Sequence, residues 1–139
     1  MKKLKSIKGI PQKLNRKPKS QLMKLPSIQG IPLKYIQSIL KIDEDSPSGL
    51  IWLPRDNVQW NGKHANKIAG YKHIAVKDSH ESWRMKITYN EKKCDIICSR
   101  IIFLLHHGYL TEGKNVDHID NDSLNNNVNN LRESITKEI

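Results

Sequence analysis

Val116-Asp117-His118-Ile119-Asp120-Asn121-Asp122, followed by Asn126 and by Asn130-Leu131-Arg132-Glu133, is the stretch on which the reading of this chain turns. It sets a carboxylate beside an imidazole, with a side-chain amide twelve residues after His118. Metal-dependent cleavage of a phosphodiester needs such groups. A carboxylate can hold a hard divalent cation, which prefers oxygen ligands, and a neutral imidazole can take a proton from water near neutral pH. Val116 to Asp120 fits a short strand, with Asn121-Asp122-Ser123 as its turn. The run Asn125 to Asn130 reads as irregular, because Asn favours turns and caps, and a helix is predicted from about Leu131. Adjacent residues of a regular strand face opposite sides, so Asp117 and His118 can share one site only if the backbone bends or bulges there.

Working outward, Arg100 to His107 is apolar at Ile101, Ile102, Phe103, Leu104 and Leu105, and Gly108 stands where a helix stops. This is the predicted core helix. Upstream, Leu50 to Leu53 and Trp83 to Tyr89 read as strands, with Asn90-Glu91-Lys92-Lys93 turning into a strand over Cys94 to Cys98. Leu33, Ile36, Ile39 and Leu40 recur at helical intervals, predicting a short helix over 33–42 before the turn Asp43 to Gly49. The fold class is therefore α+β: a small antiparallel sheet with a core helix, in a domain spanning 33–139.

The chain has 139 residues, 37% of them hydrophobic, enough for one modest core. It shows no run of about 18 apolar residues and no signal-peptide pattern, so a soluble, intracellular protein is expected, with no membrane. The net charge of +10 is uneven: residues 1–42 carry eleven Lys and Arg and no acid, the remainder thirteen against fourteen acids. Residues 1–32 read as a basic arm on a near-neutral domain. Such an arm suits a polyanion, because each neutralised phosphate releases counterions. The candidate contacts are Lys2, Lys3, Lys5, Lys8, Lys13, Arg16, Lys17, Lys19 and Lys24 in the arm, and Arg100 in the core helix. Four prolines within the first 32 residues break any long amphipathic helix of the membrane-surface type. The arm also holds a repeat: Ser6-Ile7-Lys8-Gly9-Ile10-Pro11 returns as Ser27-Ile28-Gln29-Gly30-Ile31-Pro32. Either it is a duplicated backbone-tracking element or a local duplication in a flexible arm. Cys94 and Cys98 are too few for a zinc cluster and read as reduced thiols. His106 and His107 read as core or surface side chains, and Trp52, Trp60 and Trp83 as core or sheet-face residues.

The segment Ser99-Arg100-Ile101-Ile102-Phe103-Leu104-Leu105-His106-His107-Gly108-Tyr109, continued by Asp117-His118-Ile119-Asp120 and Asn130-Leu131-Arg132, resembles the HNH endonucleases of phages and introns. Asp43 to Trp52 and Ala69-Gly70 are similar to weaker upstream features of that family. The resemblance implies a ββα-metal fold around one cation, Mg²⁺ or Mn²⁺. It implies double-stranded DNA as partner, with no obligatory protein partner, and a phage homing-type enzyme working in a bacterial or phage-infected cytoplasm. By the same resemblance His118 is the general base, Asp117 the metal ligand, and Asn130 the acceptor that fixes the tautomer of the base. The chain departs from the family twice. Ser99 stands where a His is usual, and a second ligand is expected about nine residues after Asn130, at Ile139, beside Glu138. The alternative reading is therefore a catalytically impaired HNH scaffold that still binds nucleic acid, and a more distant one is a basic component of an RNA-protein particle.

Overall fold

A computed structural model describes residues 26–135 of the chain. The second copy of the repeat opens the described residues. β1 (Ser27–Ile28) and β2 (Ile31–Pro32) pair antiparallel across Gln29-Gly30, both at positive φ (50° and 85°), the two-residue turn that matches strand twist. Its isoleucines point inward: Ile28 and Ile31 are buried in the core. The core thus reaches back beyond the boundary expected at residue 33, because two apolar side chains of the presumed arm are withdrawn from water. The first copy of the repeat and the arm cations up to Lys24 lie outside the described residues.

α1 (Leu33–Ile39) buries Ile36 and Ile39 and stops three residues short of the expected end. Leu40 is already extended, and β3 (Leu40–Ile42) pairs with β4 (Leu50–Trp52) instead. Between them the loop 43–49 folds over Ser48 and Gly49, both buried. Gly49 is held at φ +89°, and a Cβ there would stand 2.6 Å from Ile102 Cδ1 and 3.3 Å from Asn126 Cβ. Only glycine fits.

α2 (Val58–His64), not foreseen from sequence, is capped by Asn57, whose Oδ1 accepts from the Trp60 amide at 2.9 Å. It buries none of its residues. β5 (Tyr71–Ile74), β6 (Glu81–Tyr89) and β7 (Lys92–Ile97) form a three-stranded antiparallel sheet in that order. Met85, Ile87, Cys94 and Ile96 make its buried face, and Asn90-Glu91 make its tight turn. α3 (Cys98–His107) is the core helix, buried at Cys98, Ser99, Ile101, Ile102, Phe103 and Leu104. Gly108 closes it in the left-handed conformation, its amide donating to Leu104 O at 2.8 Å. Cys98 is thus a helical residue, Cys94 a strand residue, and both are buried free thiols.

β8 (Lys114–His118) and β9 (Leu131–Ile135) then form a ribbon packed on α3. The helix expected from Leu131 is a strand. Every residue from Leu131 to Ile135 pairs with one of β8, and Leu131 is buried against the core, so ladder and burial together outweigh local preference. Two paired strands thus stand where the ββα element was expected, and residues beyond 135 lie outside the described ones. No helix among the described residues is long and apolar enough to cross a membrane.

Candidate active site

Asp117 and His118 are the last two residues of β8, opposite Arg132 and Leu131 of β9. The ladder passes through both positions residue for residue, without the expected bulge. Both nevertheless line one open cleft of about 380 Å³, together with Arg132, Ser123 and His80. His118 stands on the final rung, where the chain turns away.

The turn after His118 is tied by Asn130 and Asp120. The Ile119 amide donates to Asn130 O at 2.8 Å, the Asp120 amide to Asn130 Oδ1 at 3.0 Å, and Asn130 Nδ2 to Asp120 Oδ1 at 3.0 Å and to Asn125 O at 2.9 Å. Asp120 also accepts from Asn125 Nδ2 at 2.9 Å and from the Asp122 amide at 2.8 Å. Donation from the Asn125 amide, then from the Asp122 backbone and Asn130, holds the exposed Asp120 carboxyl below the usual carboxylate range. Asp120 is a knot in the loop.

With its amide spent on this knot, Asn130 does not meet the imidazole. That contact belongs to Asn126: His118 Nε2 lies 2.8 Å from Asn126 Oδ1. Asn126 is buried, and its Nδ2 donates at 3.0 Å to the carbonyl oxygen of Ser48. Ser48 is buried too, its hydroxyl donating to Ala69 O at 2.6 Å. The chemistry of these partners fixes the protons. A carbonyl only accepts, so the Asn126 nitrogen must face Ser48 and its oxygen must face the imidazole. That oxygen accepts only, so Nε2 carries the hydrogen, and in the neutral imidazole it is Nδ1 that keeps the lone pair. The lone pair of Nδ1 is what a general base requires.

Asp117 is half-buried, and its carboxylate has no hydrogen bond or ion pair among the described residues. It is therefore a free hard-oxygen donor, of the kind that suits a divalent cation. No group of three His, Cys, Asp or Glu side chains placed to hold a metal ion exists among the described residues. Ile139 and Glu138, where a second ligand was expected, lie outside them. Arg100 sits in the first turn of α3 with its Nε buried and unpartnered, as is Ser99 Oγ, and neither lines the cleft. Beneath the site, Glu133 of β9 grips the α3–β8 connection, accepting from the Thr111 amide at 2.6 Å and hydroxyl at 2.7 Å. Burial pushes the Cys98 thiol up to about 12, so it takes no part as a nucleophile.

Residues 98–138 match the family model described as HNH endonuclease. The matched segment runs from the start of α3 beyond the end of β9 and includes Asp117, His118, Asn126 and Asn130. The HNH endonucleases are nucleases that act on DNA and generally use a divalent metal ion. Neither the curated proteins nor the solved structures gave a match. Ser48 and His80, which complete the surroundings of the candidate site, come from outside the matched residues. No spacing in the sequence distinguishes Asn126 from its Asn neighbours. The separation of 78 residues between Asn126 and Ser48 is visible only in three dimensions.

Proposed function

We propose that this chain is a metal-dependent DNA endonuclease of the HNH type that hydrolyses phosphodiester bonds in double-stranded DNA, a free-standing homing enzyme of the kind phages carry. The observation that carries the reading is the His118–Asn126–Ser48 relay, which assigns the N–H to Nε2 so that the neutral imidazole has Nδ1 as its acceptor, with Asp117 lining the same cleft. In this mechanism His118 takes a proton from the water that attacks phosphorus, and Asn126 holds the imidazole in the tautomer that can receive it. Asp117 would hold a divalent cation, Mg²⁺ or Mn²⁺, which when bound stabilises charge developing on the leaving 3′ oxygen. Arg132, beside Asp117 on the ladder, offers a guanidinium to the phosphate. The basic residues 1–25 supply affinity that does not depend on base sequence.

The test is a plasmid-nicking assay with Mg²⁺ or Mn²⁺ against an EDTA control, run on the native chain and on His118→Ala. Nicking that needs the metal and is lost in His118→Ala, with DNA binding retained, is the expected result. Binding without any nicking would favour an HNH scaffold that has lost turnover, a reading encouraged by the single carboxylate ligand among the described residues.

A further inference from the structure

His80 approaches the cleft from outside the HNH segment. It ends the β5–β6 connection, and its imidazole lines the same cleft as Asp117, His118 and Arg132. Its backbone is fixed on both sides. The His80 amide donates to Asp78 Oδ1 at 2.9 Å, and its carbonyl accepts from the Ala75 amide at 2.8 Å. The next residue is latched to the catalytic loop, because Ser123 Oγ donates to the carbonyl oxygen of Glu81. A side chain on a loop tip is ordinarily free to wander, but here the tip is bonded to the loop that carries the site. We infer that His80 is a further substrate-contacting residue of this cleft, donating an imidazole N–H to a phosphate oxygen of the strand being cut.

Two features favour a phosphate over a metal as its partner. Although Asp117, His118 and His80 line one cleft, no group of three His, Cys, Asp or Glu among the described residues is placed to hold a metal ion. Among the other residues lining the cleft, Arg132 and Asn121 carry side-chain donors suited to an anion. An imidazole keeps at least one N–H whether neutral or protonated, so the contact needs no particular protonation state.

The inference rests on the endonuclease reading, and the experiment separates the two. Native chain, His80→Ala and His80→Gln are compared for nicking of a duplex, for duplex binding in EDTA, and for binding of Mn²⁺ alone. Imidazole resonances are followed by NMR during the duplex titration. The expected result is a KM raised about 10- to 100-fold in His80→Ala, the range for a lost hydrogen bond to a charged group, with a smaller change in kcat. His80→Gln should recover part of the loss by keeping an N–H donor. The His80 resonance should move on adding duplex, and Mn²⁺ affinity should be the same in all three proteins. A native chain that nicks, alongside a His80→Ala variant with native KM and an unmoved His80 resonance, overturns this inference alone. Weakened Mn²⁺ binding in His80→Ala would make His80 a metal ligand and overturn it as well. A native chain that neither nicks nor binds duplex overturns the endonuclease reading and this inference together.

Discussion

His118 Nε2 and Asn126 Oδ1 face each other at 2.8 Å, and the far side of the same Asn126 amide is bonded to the Ser48 backbone. One buried side chain therefore fixes the N–H of His118 at Nε2 and ties it to a loop 78 residues upstream. Because Asn126 can be satisfied in only one orientation, its two ends are coupled.

Replacing Asn126 should separate these two functions. Asn126→Ala removes the acceptor that selects the tautomer, and nicking should fall about 10- to 100-fold, as is usual when the partner of a catalytic imidazole is deleted. Asn126→Asp keeps an acceptor for Nε2 but cannot donate to Ser48 O, so it should retain more activity per folded molecule while lowering thermal stability. Nicking rates and melting temperatures of the two variants check this, and equal rates in Asn126→Ala and native protein would remove Asn126 from the site.

Asp120 gives the loop after His118 a defined acid limit. Its folded pKa lies below the unfolded value of 3.8, so its contribution is present above that value and is lost as pH falls through the folded pKa. The loop should keep its native backbone shifts down to about pH 4 and loosen below it. In Asp120→Asn that acid transition should disappear, as judged by amide chemical shifts of residues 119–126 between about pH 3 and 6.

The buried thiol of Cys98 acts at the other end of the scale. Its folded pKa of about 12 exceeds the ordinary value of 9.0, so the neutral form is favoured by folding, and the stability linked to it is lost as pH rises from about 9 toward 12. Iodoacetamide at neutral pH should leave Cys98 unmodified until the chain is denatured, as peptide mapping by mass spectrometry can show. Cys98→Ala should flatten the alkaline part of the stability profile.

Deleting residues 1–25 removes Lys2, Lys3, Lys5, Lys8, Lys13, Arg16, Lys17, Lys19 and Lys24 and leaves the core hairpin of Ile28 and Ile31 intact. Duplex affinity should fall and its dependence on salt should flatten, because fewer counterions are released. Thermal stability should stay near native. Cutting at residue 30 instead should destabilise the domain, since it takes the buried Ile28 with it.

Much of this architecture is legible in the sequence wherever one signal speaks alone. The apolar run Ile101 to Leu105 ending at Gly108 marks the core helix, and the alternation around Met85 and Ile87 marks its sheet. Reading fails where tertiary pairing decides the outcome. Leu131 to Ile135 has no decisive local pattern and becomes a strand because β8 offers it a ladder. Ile28 and Ile31 sit among lysines and prolines, a context that masks their burial. At the site, the chemistry of Asp117 and His118 singles them out. The family pattern makes Asn130 the partner of His118, although Asn130 is occupied with Asp120 and Asn126 is the residue within reach. Several Asn side chains within six residues offer the same donors and acceptors, and only the fold assigns them.

Gly49 lies against Ile102 with no room for a methyl group, and the same glycine abuts Asn126. The matched segment is therefore not a portable cassette. Residues 98–138 transplanted into another protein would expose the apolar flank of α3 and leave Asn126 without Ser48, so the imidazole would arrive with its tautomer unassigned. Inheritance of this arrangement must carry residues 48–49 along with the segment, and a lineage that exchanged its upstream half would have to rebuild that seam before His118 regained its partner.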